Sequence, residues 1–176
     1  MKYKLTEETK EFFEITLHRI VCVTAFANVA AGELGGWIES EKNLDQYGNA
    51  WVYGNAKVYG NAKVYGNAWV CGDAKVYGNA KVYDNAEVYG NAEVFGNAKV
   101  YGITDFMVLK NSWSSGRYFT YTASNKKWRV GCFYGTGEEL INKAYKDSEL
   151  SGKCYEAAVK YVEEIERLKK ELKNEH

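Results

Sequence analysis

The chain has 176 residues, 23 Lys plus Arg against 23 Asp plus Glu, 15 tyrosines and no proline. A formal net charge of +0 gives no whole-molecule pull on nucleic acid, although a local basic patch is not excluded. No apolar run approaches the roughly 18 residues that a membrane span needs, and nothing resembles a stiff interdomain linker.

The chain opens on a charged stretch, Met1–Lys10, that lacks the apolar centre of a signal peptide, so the protein reads as soluble and cytosolic. Cys22, Cys71, Cys132 and Cys154 are scattered and form no C-x-x-C pair, which predicts four free thiols in a reducing compartment. Thr6 to Phe13 reads as a short helix. Thr16 to Thr24, with Leu17, Ile20, Val21 and Val23, reads as a strand. His18 lies in that strand, where a single histidine is expected to be structural. Residues 32–38 (GELGGWI) read as a degenerate first coil, and residues 1–46 as a cap on a solenoid.

From Tyr47 the sequence is periodic: YGNAWV, YGNAKV, YGNAKV, YGNAWV, CGDAKV, YGNAKV, YDNAEV, YGNAEV, FGNAKV. A period of six repeated in this way marks the solenoid itself. Side chains alternate across an extended segment, so Ala56 and Val58 point one way and Lys57 and Tyr59 the other. The Ala/Val side suits a narrow core, and Gly-Asn supplies residues that tolerate positive φ at the corner. A hairpin meander would leave strands of about four residues alternating in direction, short for an antiparallel sheet. Stacked parallel turns bury the same ladder continuously.

These units resemble the hexapeptide-repeat family. Val52 and Ala56, then Val58 and Ala62, match its aliphatic residue followed four places later by a small one. The second position departs from the family, being Tyr, Cys or Phe here. The resemblance implies a mainly β fold, a triangular left-handed parallel β-helix with three units per turn over residues 47–102, and a homotrimer as the usual assembly.

Three units per turn sorts the outward residues. The first face takes Trp51, Tyr53, Trp69, Cys71, Glu87 and Tyr89. The second takes Lys57, Tyr59, Lys75, Tyr77, Glu93 and Phe95. The third takes Lys63, Tyr65, Lys81, Tyr83, Lys99 and Tyr101. Each tryptophan would contribute several kcal/mol if covered, at about 25 cal/mol per Å² over roughly 150–250 Å². Trp51, Tyr53, Trp69 and Tyr89 are therefore expected to meet another subunit or the carboxy-terminal module. The Lys/Tyr face reads either as a solvated wall or as an anion-binding one.

Residues 103–176 form a separate module. Arg117–Ala123 and Lys127–Phe133 read as a β-hairpin about the turn at Ser124-Asn125-Lys126. Thr136 with Glu139 is a capping box that starts a helix running to about Ser148. Ser151-Gly152 reads as a break before a second helix from about Lys153 to Lys173, with Tyr155, Ala158, Val162, Ile165, Leu168 and Leu172 on its apolar face. The richest stretch chemically is Trp113 to Glu139. Arg forks onto phosphate, aromatic rings stack on bases, and a helix amino terminus accepts an anion. Trp113, Ser115, Arg117, Tyr118, Lys127, Trp128, Arg129 and Thr136 are thus the candidate ligand residues, with a nucleotide-like molecule as ligand. A capped module with ordinary surface charge accounts for the same residues.

Hexapeptide acyltransferases and zinc carbonic anhydrases need histidine. The repeats have none, and the second histidine is the terminal His176. No catalytic residue, metal site or cofactor is therefore expected. Residues 3–44, with GELGGWIESEKNL at the end, and the chain beyond also resemble hexapeptide proteins of bacteriophage and prophage. That resemblance implies a viral or prophage origin and a cytosolic setting, with no established activity for the group. Taken with the basic-aromatic stretch Trp113 to Glu139, it motivates the expectation of a non-catalytic binding role against host defence, with a nucleotide-like signal or a host protein as partner. The alternatives are a structural or protein-interaction scaffold and an acyltransferase.

Overall fold

The computed structural model describes residues 1–174, so His176 lies outside the described residues. The chain divides between Phe106 and Met107 into two units. The first begins with the antiparallel hairpin β1 (Tyr3–Phe12) and β2 (Ile15–Cys22), followed by β3 (Leu34–Ile38) and a single 3-10 turn at Glu41–Asn43. Nine two-residue strands come next: β4 (Trp51–Val52), β5 (Lys57–Val58), β6 (Lys63–Val64), β7 (Trp69–Val70), β8 (Lys75–Val76), β9 (Lys81–Val82), β10 (Glu87–Val88), β11 (Glu93–Val94) and β12 (Lys99–Val100).

Every third strand pairs in parallel, β4 with β7 and β10, β5 with β8 and β11, β6 with β9 and β12. Partners lie 18 residues apart, as Trp51 and Trp69 do. The three faces are therefore those read from the repeat. Every Ala and Val of the units from Ala50 to Val100 is fully buried, and the corner glycines take φ between 64° and 71°. The result is a parallel β-solenoid of about four turns, because the cap supplies a partial coil above the first full one.

The cap is required by the backbone. Along each strand the upward carbonyls of one coil accept from the coil above, as Ala68 O and Val70 O accept from Trp51 N and Tyr53 N. The uppermost coil has no repeat over it, and an orphaned buried carbonyl is costly. Residues before the repeat supply the donors. Trp37 N and Glu39 N reach Ala56 O and Val58 O, and Asp45 N reaches Val64 O. The buried Asn43 amide donates to Gly60 O and Ala62 O at 3.0 and 2.9 Å. The Lys2 ammonium reaches Ala50 O at 2.8 Å. Strand β3 pairs with β5 in parallel and with β2 in antiparallel, which joins hairpin and solenoid in one six-stranded sheet.

Two expectations fail here. Thr6 to Phe13 lies in strand β1, not in a helix. Its Glu- and Lys-rich sequence favours a helix locally, but pairing with β2 along residues 3–22 and packing of Phe12 on Tyr59, 5.6 Å between ring centres, prevail. Trp51 is buried by the amino-terminal segment, not by another subunit or the carboxy-terminal module. Phe26 and Tyr3 meet its ring edge-on at 5.5 and 6.4 Å, and a Cβ at Gly35 would stand 2.7 Å from it. Trp69 is half-buried, and Tyr53 and Tyr89 remain about half exposed.

The second unit is a four-stranded antiparallel sheet in the order β13 (Phe106–Lys110), β14 (Tyr118–Thr122), β15 (Lys127–Val130), β16 (Phe133–Gly135), with helices α1 (Gly137–Asp147) and α2 (Glu149–Asn174). The returning strand breaks at Gly131, φ 54°, so Phe133 begins a strand of its own. Ser151 and Gly152 lie inside α2. The helices part at Ser148, whose extended backbone ends α1 and whose hydroxyl accepts from Ser151 N at 3.0 Å. Gly152 is there for closeness: a Cβ would stand 2.2 Å from the Tyr145 ring. No helix of the described residues is long and apolar enough to cross a membrane.

The first unit generates two predictions. Asp84 occupies a corner position at φ 55° where the other corners carry glycine, a conformation that costs a side chain up to about 1 kcal/mol. Asp84→Gly is expected to raise the melting temperature by about 2–4 °C, read by calorimetry. Lys2 is held by desolvation at a pKa of about 8, against 10.5 when unfolded. Between about pH 8 and 10.5 the unfolded chain binds more protons at this site, so its contribution makes stability rise with pH across that window. Denaturation at pH 7.5 and 9.5 is expected to show a difference that Lys2→Met reduces.

Candidate functional site

Phe119, Tyr121, Trp128, Leu140, Ala144, Tyr155, Val159 and Val162 form the core between the sheet and the helices of the second unit. At the edge of that core a cavity of about 290 Å³ opens, bounded by Ser115, Arg117, Cys132, Lys143, Asp147 and Tyr155. Its organiser is Asn111, 2% exposed, at the end of β13. The Asn111 amide donates to the Tyr155 hydroxyl at 3.0 Å, and its carbonyl oxygen accepts from Ser114 N and the Ser114 hydroxyl at 2.9 and 3.1 Å. Asn111 N donates to Arg117 O at 2.8 Å, closing the loop. The chain 111–117 is thus folded onto one side chain, and this fixes where Ser115 and Arg117 stand.

The guanidinium lies beside Gly131, where a Cβ would stand 3.1 Å from Arg117 Nη1. Burial pushes the Tyr155 phenol up, partly offset by the Asn111 hydrogen bond and the Arg117 charge. The site therefore offers a neutral phenol, two cations, hydroxyls and the Asp147 carboxylate. That set can hold a small molecule through a phosphate or carboxylate at Arg117 and Lys143, with Asp147 accepting from a hydroxyl or amine.

Of the candidate ligand residues, only Ser115 and Arg117 line this cavity. Register sends the others elsewhere. Trp128 and Val130 face the helices, so Lys127 and Arg129 point to the opposite side of the sheet, opposite Thr122 and Thr120. Trp128 is 2% exposed, which leaves no ring face for a base to stack on. Trp113 packs edge-on against Tyr155 and Phe119, at 4.9 and 6.1 Å. Tyr118 is exposed, with the Lys110 ammonium 5.7 Å from its ring. Thr136 is the cap of α1: its hydroxyl accepts from Glu139 N at 3.2 Å while Glu139 Oε2 accepts from Thr136 N at 2.7 Å. These hydrogen bonds hold the Glu139 carboxyl below its usual range. The chain's own carboxylate thus occupies the amino terminus proposed for an anion.

Sequence reasoning missed Asn111, Lys143, Asp147 and Tyr155 as site residues. Asn111 had a signal, an Asn three residues before Ser114, which favours an Asx-type turn. Among the described residues no three His, Cys, Asp or Glu side chains group as a metal site.

Residues 56–72 match the YdcK beta solenoid repeat family. A curated protein of Escherichia coli (strain K12) named uncharacterized acetyltransferase YdcK is 37% identical over 59 residues, which cover 29% of this chain and 18% of that protein. The chain thus spans less than a fifth of that relative. Both matches support a β-solenoid repeat family, in keeping with the stacked coils.

If Thr136 serves α1 as a cap, Thr136→Ala is expected to cost about 1 kcal/mol of stability, measured by denaturant unfolding of the full chain. Thr136→Ser is expected to restore most of it.

Proposed function

We propose that the protein is a non-catalytic binding protein that holds a small anionic, nucleotide-like molecule in the cavity of its second unit. The observation that carries this reading is the convergence of Arg117, Lys143, Ser115 and Tyr155 on one cavity organised by the buried Asn111. The cavity lies at the lower end of the about 300–1,000 Å³ typical of small-molecule sites. Set beside the resemblance to phage and prophage hexapeptide proteins, such a protein would keep a nucleotide signal of host defence out of circulation. The proposal includes assembly as a homotrimer, which the mass in solution tests.

A second reading, acyl transfer, is favoured by the name of the Escherichia coli relative. Both readings meet in one experiment. Protein purified from bacteria is heated and the released small molecules are identified by mass spectrometry. The emptied protein is then melted against nucleotides, cyclic nucleotides, ADP-ribose derivatives and acetyl-CoA. The expected result is stabilisation by a nucleotide-like molecule that is recovered unchanged, lost in Arg117→Ala. Stabilisation by acetyl-CoA, with transfer of its acetyl group to an acceptor, would replace this reading with the second. Silence across the panel would leave the scaffold role in its place.

A further inference from the structure

On the third solenoid face the tyrosine rings form a column, stacked at its upper step and tilted by 41° at its lower one. Tyr65 and Tyr83 lie 5.1 Å apart and 3° from parallel, and Tyr83 and Tyr101 lie 5.8 Å apart. The second face carries a similar column, Tyr59, Tyr77 and Phe95, spaced 4.8 and 4.5 Å. There the cap closes the upper end, with Phe12 edge-on to Tyr59. The third face is built differently at the same level.

The ring that would close it is Tyr47, 18 residues before Tyr65. Asn49 N donates to Gly66 O, so the repeat register already holds at that corner. Leu44, however, bridges to Val64, a separation of 20. Two extra residues must therefore be accommodated between Leu44 and Asn49. Gln46 is drawn to β1, where its carbonyl oxygen accepts from Lys2 N and Tyr3 N at 2.9 and 3.3 Å and its amide donates to Tyr3 O at 3.0 Å. Tyr47 is left 81% exposed. Between it and Tyr65 lies a cavity of about 670 Å³ that Lys42, Lys63 and Lys81 also line.

The charges point the same way independently. Lys63 pairs directly with Lys81 across the strands, and Lys81 with Lys99. Like charges so placed repel. Glu41 and Asp45 also border the cavity, and Asp45 Oδ1 accepts from Tyr47 N at 3.1 Å. Three ammonium groups thus face two carboxylates, one of which already holds the backbone.

We propose that this cleft is a second ligand site, taking a planar aromatic ring that bears a negative group, of the class of the nucleoside monophosphates. The ring continues the Tyr65–Tyr83 stack beneath Tyr47, the phosphate meets Lys42, Lys63 and Lys81, and Glu41 accepts from a sugar hydroxyl. The site lies wholly in the first unit and does not depend on the cavity at Arg117.

Calorimetric titration of the full chain with AMP, GMP, CMP and UMP tests it, with ribose 5-phosphate and adenosine as the charge-only and ring-only probes. At least one nucleotide is expected to bind, and both fragments to bind far more weakly. Tyr47→Ala is expected to weaken binding about tenfold, Tyr47→Phe to retain it, Lys63→Gln to weaken it, and Arg117→Ala to leave it unchanged. Tyr47 and Lys63 are exposed, so these variants are expected to melt like the parent chain. The proposal is overturned if no nucleotide binds, if ribose 5-phosphate binds as tightly as the nucleotides, or if binding survives Tyr47→Ala and is lost in Arg117→Ala.

Discussion

The hydrogen bond between one coil and the next is the interaction on which the first unit rests. A strand of two residues has no stability of its own. Each becomes a strand because its backbone donates to the coil beneath, as Lys57 N does to Ala74 O, while Ala56 and Val58 fill the axis. The arrangement has no natural upper limit, since any coil ends in carbonyls that want another. The chain stops the propagation with unlike pieces. On the second face a strand runs above, on the third the amide of Asn43 replaces two backbone donors, and on the first the Lys2 ammonium meets Ala50 O. Lys2 is partly desolvated because that position is closed by Tyr3, Phe26 and Trp51, and the lowered pKa is the physical trace of its capping role.

The same interaction divides the legible part of the sequence from the rest. Period six, inward Ala and Val, and three units per turn place every side chain of residues 50–101 on its face, because a strict repeat leaves no other register. The cap has no repeat to constrain it. TEETKEFF carries helix-favouring residues, and only the partner strand, with Leu17 and Ile20 buried, settles it as extended. The size of Trp51 says that it needs cover, but a burial requirement does not say what supplies the cover.

In the second unit the capping box was legible because it is local, three residues from hydroxyl to carboxylate. The candidate site was not, because it depends on which way a strand alternates. Trp128 and Arg129 are neighbours in sequence and face opposite sides of the sheet. Gathering cationic and aromatic residues from one stretch therefore mixed a core tryptophan and a helix cap with the two residues, Ser115 and Arg117, that reach the cavity. Further walls come from α1 and α2, some thirty residues further on, and nothing short of the packed helices brings Lys143, Asp147 and Tyr155 to Arg117.

The departures from the repeat bear on function more than the repeat does. Glu93 neutralises Lys75, and Asp73 draws on Lys57 and Lys10, which crowd one another near Phe12 and Trp37. The second face thus neutralises its lower step, while Lys57 and Lys75 remain paired like to like above it, and it closes its own aromatic column. On the third face the lysines at 63, 81 and 99 are unvaried, and the aromatic column ends below a tyrosine that the Gln46 contact holds apart. The Lys63–Lys81 pair beside an open ring stack is the feature on which the proposed second ligand site rests.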